Sequence, residues 1–424
     1  MRAEILTVGT ELLTPGRVDT NSAYLTEQLL SVGIPVLFRA TVGDDRRLIA
    51  EAARQALARA ELVLATGGLG PTSDDVTREG FSDALELPLT FDDGILEGIR
   101  RRFERRGIAM PPVNRKQAMV LRGAQVLAND VGTAPGLRVT LPNSGRAGGA
   151  KHVVLLPGPP PELRSVFEKH VLPWLAKSAR GGVYRTRRLL VAGITESAVE
   201  QRIGDIYREC RNPTTTILAS PGQVEVRLTG RGESREDAEK AIEALASRLR
   251  QVLGRHLFSE SGASLEEVLG RLLAEKGLTL AVAESCTGGL ITHRLTDVPG
   301  SSVYLERGFV AYSNESKVQL LDVPESLLRQ FGAVSEEVAG AMAVGARQRA
   351  GTDWALAVTG IAGPGGGSPA KPVGLVYVAL TDGQSHVTRR FQFPGDRWQV
   401  KWWTSQAAMN LLRLRIAFGS EPEG

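Results

Sequence analysis

The sequence predicts an α/β protein of two layered α/β domains joined by a small α+β, KH-like domain. Three observations carry this. The chain has 424 residues, more than the roughly 250–300 at which a single core stops growing. At both ends apolar runs alternate with amphipathic segments, the rhythm of a mostly parallel sheet with helices on its faces. Between them the rhythm changes to three strand-like runs and two helices. The expected domains are residues 1–172, 173–258 and 259–424.

In the first domain the strands are read at EILTVGT, VLFRATVG, LVLATGG and HVVLLPG, with helices at SAYLTEQLLSVG and RLIAEAARQALARA. The polar, Gly-rich stretch NSGRAGGAK reads as a surface hairpin loop. In the middle domain YRTRRLLVAG, TTTILAS and QVEVRLTGRG are strands, and TESAVEQRIGDIYREC and EDAEKAIEALASRLRQVLG are helices. Such modules clamp a nucleic-acid backbone with a GXXG loop. Gly193 is followed by Ile-Thr-Glu instead, so the clamp is missing and the module reads as a structural or dimerising spacer. The third domain opens on SLEEVLGRLLAEKG, where Ser264 and Glu267 form a capping box. Strands follow at LTLAVAES, RGFVAYS and DWALAVTG, with LVYVALT and TRRFQF as a closing pair and helices at GLITHRLTDV, ESLLRQFG and SEEVAGAMAVGARQRAG. With its own sheet and loops, this domain is expected to fold from about Ser264 onward.

Composition narrows the function. A chain with 42% hydrophobic and 23% charged residues is globular, not disordered. The net charge of +4 is scattered over the sequence, so nucleic acid is not an expected partner. No run of about 18 apolar residues exists and MRAEILTVGTELL is no signal peptide, so a soluble, cytoplasmic protein is expected. Cys210 and Cys286 share no ligand spacing with the five histidines, which excludes disulfide frameworks and zinc sites.

Three loops of the first domain fall at strand ends, where open α/β sheets hold their ligand crevice. In ATGGLGPTSDDVTREG, Gly67, Gly68 and Gly70 let the backbone approach an anion, and Asp74 and Asp75 are placed to hold a divalent cation bridging a phosphate. The same two acids would also suit a helix N-terminus without any ligand.

In the third domain the run AVAESCTGG ends a strand in two possible nucleophiles, Ser285 and Cys286. Gly288 and Gly289 lie at the helix entrance, where amides stabilise an oxyanion, and Thr287 completes the turn. Neighbouring strand residues face opposite ways, so one of the two nucleophiles faces the crevice. His293 lies about two turns down the same helix and points away, which argues against a Ser-His-Asp triad. The alternative base is Lys317, in the first turn of a helix capped by Ser313 or Asn314 after a strand ending at Tyr312. Burial at that helix position would lower its pKa, whereas on an open face it would be an ordinary solvated lysine. Tyr312 is placed to relay the proton or hold Ser285. In AVTGIAGPGGGSPAKPVG, Thr359, Gly360 and Gly363 offer a hydroxyl and amides to substrate. Arg397 either pairs with a substrate anion or makes a salt bridge at its helix start.

TGGLGPTSDDVT is similar to the Gly-Gly-Thr-Gly…Arg-Asp-Val-Thr loop of the molybdopterin-binding fold. Asp75 falls on the motif's aspartate and Asp44, in VGDD, on an acidic position of that fold; Ser73-Asp74 stand where many members carry basic residues. With GTELLTPGRVDTNS and PGPPPE, the first domain resembles the N-terminal half of the CinA family. AESCTGG, GFVAYSNESK, TGIAGPGGGS, KPVG and FPGDR, in this order, resemble that family's C-terminal nicotinamide-nucleotide amidohydrolase domain. The resemblance implies a metal-dependent pyrophosphatase acting on ADP-ribose, with Asp44, Asp74 and Asp75 around a divalent ion. It also implies cofactor-free hydrolysis of nicotinamide mononucleotide to nicotinate mononucleotide and ammonia. There Ser285 is the nucleophile, Tyr312 and Lys317 activate it, and Arg397 lies on the substrate side. A homodimer is expected. The other readings are a non-catalytic accessory protein of competence or recombination, and a molybdopterin-binding protein.

Overall fold

The computed structural model describes residues 1–141, 150–178 and 182–419. Most of NSGRAGGAK, read above as a hairpin loop, lies outside the described residues. The chain divides into two compact units, Met1–Arg185 with Arg231–Glu239, and Thr186–Gly230 with Lys240–Gly424.

The first unit runs β1 (Ala3–Val8), α1 (Thr20–Ser31), β2 (Val36–Val42), α2 (Arg46–Arg59), β3 (Leu62–Thr66), α3 (Thr77–Leu85), β4 (Leu89–Phe91), α4 (Asp93–Glu104), β5 (Met119–Leu121), β6 (Gln125–Leu127), β7 (Gly136–Leu141), β8 (Lys151–Leu156), α5 (Pro160–Val166) and α6 (Leu172–Ser178). Its main sheet has the order β2-β1-β3-β8-β7-β6, parallel from β2 to β8 and antiparallel beyond. Alternate strand residues feed two cores: Leu6, Val63 and Leu155 on one face, Ile5, Leu64 and Val154 on the other. Every residue of β1 and β3 is therefore buried, and their sequences are mostly apolar without a polar alternation; buried Glu4 of β1 is paired with Arg59. The short strands β4, β5 and β6 were not legible as strands.

The second unit begins with β9 (Val183–Val191), α7 (Glu196–Arg208), β10 (Thr214–Ser220), β11 (Gln223–Gly232), α8 (Arg235–Leu253) and β12 (Leu257–Ser259). These form a sheet of order β10-β11-β9-β12, one strand more than expected. Then come α9 (Leu265–Lys276), β13 (Leu280–Glu284), α10 (Leu290–Thr296), β14 (Leu305–Val310), α11 (Asn314–Leu321), α12 (Glu325–Phe331), α13 (Glu336–Ala350), β15 (Trp354–Gly360), β16 (Leu375–Thr381), β17 (His386–Gln392) and α14 (Arg397–Phe418). Their sheet has the order β14-β13-β15-β16-β17, with β13 parallel to both neighbours and β16 and β17 antiparallel.

The two faces of this sheet differ. Leu280, Val282, Leu356, Val358 and Val376 share one core with Leu269, Ile291 and Leu412. The other face is nearly all alanine, with Ala281, Ala283, Ala355, Ala357 and Ala379 in one cluster with Ala339, Ala343 and Ala346 of α13. Small residues on both sides let α13 lie close. At Gly345 a side chain would come within 1.8 Å of the Leu321 carbonyl at the end of α11.

The middle module is no free spacer. Leu190, Ala192 and Phe258 sit in the same core as Leu265 and Val400. Trp402 Nε1 donates to Pro221 O at 3.1 Å, Gln406 Nε2 to Gln223 Oε1 at 3.1 Å, and Arg413 Nη2 to Arg255 O at 2.7 Å. Packing is continuous across residue 259, and a cavity of about 670 Å³ between Gly193, Pro221, Phe391, Phe393 and Trp403 is shared by the two parts.

Candidate active sites

Ser285 is the first residue past the interior strand β13, at the carboxyl end where open sheets place their ligands. Its amide donates to Val358 O at 3.0 Å, which ties it to β15, and its side chain is nearly buried. Lys317 comes to it from 32 residues away, its Nζ 3.1 Å from Ser285 Oγ. The Nζ also donates to Ala311 O at 2.9 Å and Tyr312 O at 3.3 Å. These carbonyls are available because β14 stops at Val310, two residues earlier than the sequence suggests. Ser313 caps α11 and accepts from Ser316 N. Lys317 is 1% exposed, and this burial holds its ammonium below the usual lysine range.

Gly288 and Gly289 do not offer their amides to a ligand. Gly288 N donates to Ser285 O at 3.1 Å, and Gly289 N to the Glu284 carboxylate at 3.0 Å. Fully buried Glu284 accepts further bonds from Ile291 N at 3.0 Å and from Thr292 N and Oγ1, both at 2.8 Å. The carboxylate thus takes up the first amides of α10, a favourable place for negative charge. Among the described residues the amides of Cys286 and Thr287 have no acceptor, and the buried Thr287 hydroxyl has no partner. The sequence reading missed Glu284, although an acid at a strand end just before a helix is the available signal.

Cys286 also lies past the end of β13, so strand alternation does not choose between it and Ser285. Burial does. Its thiol packs in the core and is pushed up to about 12.

Tyr312 is exposed, and its hydroxyl accepts from Arg397 Nη2 at 2.9 Å, not from a group on Ser285. Arg397 Nη1 donates to Gly363 O at 2.8 Å. Among the described residues no carboxylate pairs with Arg397, so it is not a helix-start salt bridge; Asp396, the N-cap, accepts from Gln399 N instead. Buried Thr359 spends its hydroxyl on Ala333 O at 2.7 Å, and Gly360 is packed where a side chain would meet Leu375 O at 2.7 Å. Of this loop, then, Gly363 reaches the site, through its carbonyl.

In the first unit a cleft of about 500 Å³ is lined by Asp44, Gly67, Gly68, Gly70, Asp74 and Asp75 together with Glu11, Asp19, Asn21 and Gly158. All three strand-end loops meet here. Asn21 Nδ2 ties two of them to β3, donating to Gly158 O at 2.7 Å and Thr66 Oγ1 at 3.2 Å. Gly67 must be glycine, since at φ +101° a side chain would come within 2.0 Å of Val8 O. Buried Arg78 donates to Leu69 O at 2.9 Å and Gly70 O at 3.1 Å, turning those carbonyls inward. The amides of Gly68, Leu69 and Gly70 have no acceptor among the described residues, which suits an anion cradle. Glu11, Asp19, Asn21 and Arg78 were not singled out as individual residues from the sequence.

The acids do not close into a cage. Among the described residues no three His, Cys, Asp or Glu side chains converge as a metal-holding group. Asp75 turns into its own loop and accepts from Thr72 N at 2.8 Å, and Asp44 accepts from Thr10 N at 2.7 Å. A hydrogen bond from Thr72, with Lys116 nearby, holds exposed Asp74 below the usual carboxylate range. This donor set fits a hydrated divalent cation held by one or two carboxylates and by substrate phosphates.

Fold and sites define a two-site α/β protein, with a buried serine–lysine pair on one sheet and an acid-rimmed, glycine-looped cleft on the other. Residues 262–416 match the family model "CinA C-terminal domain", residues 186–259 "Damage-inducible protein CinA KH domain", and residues 4–177 "Probable molybdopterin binding domain". CinA-like proteins of Solibacter usitatus and Koribacter versatilis are each 43% identical, over 98% of this chain and 98% and 100% of theirs. The solved competence/damage inducible protein CihA of Agrobacterium tumefaciens is 41% identical over 36% of this chain and 95% of its own, with a TM-score of 0.34. The chain belongs to the CinA family. No helix among the described residues is long and apolar enough to cross a membrane.

Proposed function

We propose that the C-terminal site hydrolyses the carboxamide of nicotinamide mononucleotide to the carboxylate and ammonia. The observation that carries this reading is the buried Lys317 Nζ, 3.1 Å from Ser285 Oγ. A lysine whose charged form is disfavoured by burial is a usable base near neutral pH. Neutral Lys317 takes the Ser285 proton as Oγ bonds to the carboxamide carbon. The developing oxyanion falls to the amides of Cys286 and Thr287, the donors of this turn without another acceptor. The Lys317 ammonium returns the proton to the leaving nitrogen, the C–N bond breaks and ammonia departs, leaving a Ser285 ester. Water, deprotonated by the same amine, then attacks the ester carbon; the acyl C–Oγ bond breaks as the Lys317 ammonium returns the proton to Ser285 Oγ, which releases the acid and regenerates free Ser285 and neutral Lys317.

For the first unit we propose cleavage of the pyrophosphate of ADP-ribose. The amides of Gly68, Leu69 and Gly70 would cradle phosphate, and Asp44 and Asp74 would hold a divalent cation. Such a cation neutralises charge on the transferring phosphoryl oxygens.

The test is to incubate the full chain with each compound and measure ammonia and phosphate products separately. Ser285→Ala should abolish ammonia release alone, and excess chelator should abolish pyrophosphate cleavage alone. Absence of both products would mark the chain as a binding protein.

A further inference from the structure

The cavity of about 670 Å³ between the middle module and α14 shares no lining residue with either candidate site. On a helix of 3.6 residues per turn, Trp403, Gln406, Asn410 and Leu414, which line it, occupy the face of α14 opposite Arg397. Its volume is that of a small-molecule site. Phe391 of β17, Phe393 just past it and Trp403 stack in series, with centroids 5.3 and 5.9 Å apart and planes within 12° and 16° of parallel. All three side chains stay partly open, so a further ring can extend the series in the same offset geometry.

Two buried polar side chains line this cavity. Gln406 is spent, since its Oε1 accepts from Arg294 at 2.6 Å and its Nε2 donates to Gln223 at 3.1 Å. Asn410 is not. It is 6% exposed, and Arg413 fixes its amide by donating to Oδ1 from Nε at 3.0 Å and from Nη2 at 2.9 Å. Its Nδ2 must then face the other way, and among the described residues that nitrogen has no acceptor. Gly193 stands beside it at φ +80°, where a side chain would begin 3.1 Å from Nδ2 and crowd it. Buried Arg413 pairs with no carboxylate among the described residues, so its charge polarises the amide and strengthens the donor. An oriented donor in an otherwise aromatic and aliphatic wall calls for an acceptor from the occupant.

We propose that this cavity binds a small planar heteroaromatic molecule of the nucleobase class. Its ring joins the Phe391–Phe393–Trp403 series, and an acceptor on its edge takes the Asn410 Nδ2 hydrogen. Gly193 and Pro221 belong to the middle module and Trp403 and Asn410 to α14, so the ligand bridges the two. Neither proposed activity is needed for this binding.

Benzimidazole and indole test it on the full chain at pH 8. They share one fused-ring shape, and only benzimidazole carries a ring-nitrogen acceptor. Ligand-observed NMR titrations give both dissociation constants for the wild type, Asn410→Asp and Trp403→Leu. Asn410→Asp keeps an acceptor for Arg413 and removes the donor. The ratio of the indole to the benzimidazole dissociation constant should fall about 3- to 10-fold in this variant, the worth of one hydrogen bond, with indole binding kept. Trp403→Leu should weaken both compounds by about 2- to 10-fold, and adenine should displace benzimidazole from the wild type. A ratio unchanged in Asn410→Asp, affinities unchanged in Trp403→Leu, a wild type that binds neither compound, or benzimidazole that adenine does not displace overturns the proposal. So does binding of both compounds that fades as protein concentration and oligomer mass rise together, which would make a second copy of the chain the occupant.

Discussion

Lys317 Nζ stands 3.1 Å from Ser285 Oγ, while His293, eight residues from that serine, is exposed beside Asp297. The proposed base therefore comes from a different strand–helix connection than the proposed nucleophile. Lys317→Arg keeps a cation that cannot release its proton near neutral pH. It should lower kcat about 10²- to 10⁴-fold, as should Lys317→Met. In the wild type, ammonia release should rise with pH through one ionisation below the ordinary lysine value of about 10.4. A Lys317→Arg chain with near-normal turnover would remove the lysine from the mechanism.

The same lysine sets a pH dependence of stability. Burial lowers its folded pKa, so between that value and about 10.4 the unfolded chain binds a proton that the folded chain does not. Stability from this group must then rise with pH across that window, with a constant penalty below it. Lys317→Met, similar in length and uncharged, should flatten the rise and raise the melting temperature near pH 7. Melting curves of both proteins from pH 7 to 10 check this; parallel curves would show that Lys317 is charged in the folded state.

Cys286 should be chemically quiet. With its thiol buried and pushed up to about 12, alkylating reagents at pH 8 should leave ammonia release intact, and Cys286→Ser should keep substantial activity. Rapid labelling of Cys286 that stops turnover would transfer the nucleophile's role to the thiol.

Tyr312 and Arg397 should act as one unit, since the tyrosine hydroxyl bonds to the guanidinium. Tyr312→Phe and Arg397→Met should each lower kcat/KM by about 10-fold, and the double variant should be little worse than either alone. A double-mutant cycle measures the coupling. Additive losses would instead favour an independent proton-relay role for the hydroxyl.

A fragment starting at Ser264 leaves out Leu190, Ala192 and Phe258 and uncovers Trp402. It should bind apolar dyes and melt lower than a fragment starting at Thr186. Equal melting temperatures would show that the middle module adds nothing to the third domain's stability.

Much of this was legible in the sequence because the signals were local. Strand runs followed by Gly-rich turns placed Ser285 and the Gly67–Gly70 loop, and the Ser313 cap put Lys317 in a first turn. Most of what escaped notice depends on contacts between distant segments. Nothing local shows that Tyr312 turns to Arg397, 85 residues away, whereas Glu284 lies close in sequence to the amides of Gly289 and Thr292 that it takes, and its local signal was passed over. Strand β12, three residues long, carries no period to read, and its pairing with β9 is visible only in three dimensions. The middle module looked separable because its own strands and helices satisfy a layered fold, while its attachment lies in side chains of α14 such as Trp402 and Gln406.

The alanine-lined face of the second unit's sheet has a consequence for how the sequence can drift. Leucine, isoleucine and valine can trade places on the opposite face, where volume is shared among many large side chains. Between α13 and the sheet such exchange is narrower, since Ala281, Ala283, Ala355, Ala357 and Ala379 of the sheet and Ala339, Ala343 and Ala346 of α13 are already small and buried. A methyl gained at Gly345 meets the Leu321 carbonyl, and displacement there moves α11 and with it Lys317. Mutation can reach the Lys317–Ser285 spacing from this layer without touching either residue. Over long divergence the alanines should change less than their plain chemistry suggests, and a library of Ala283→Val, Ala343→Val and Gly345→Ala should lose ammonia release before it loses the fold.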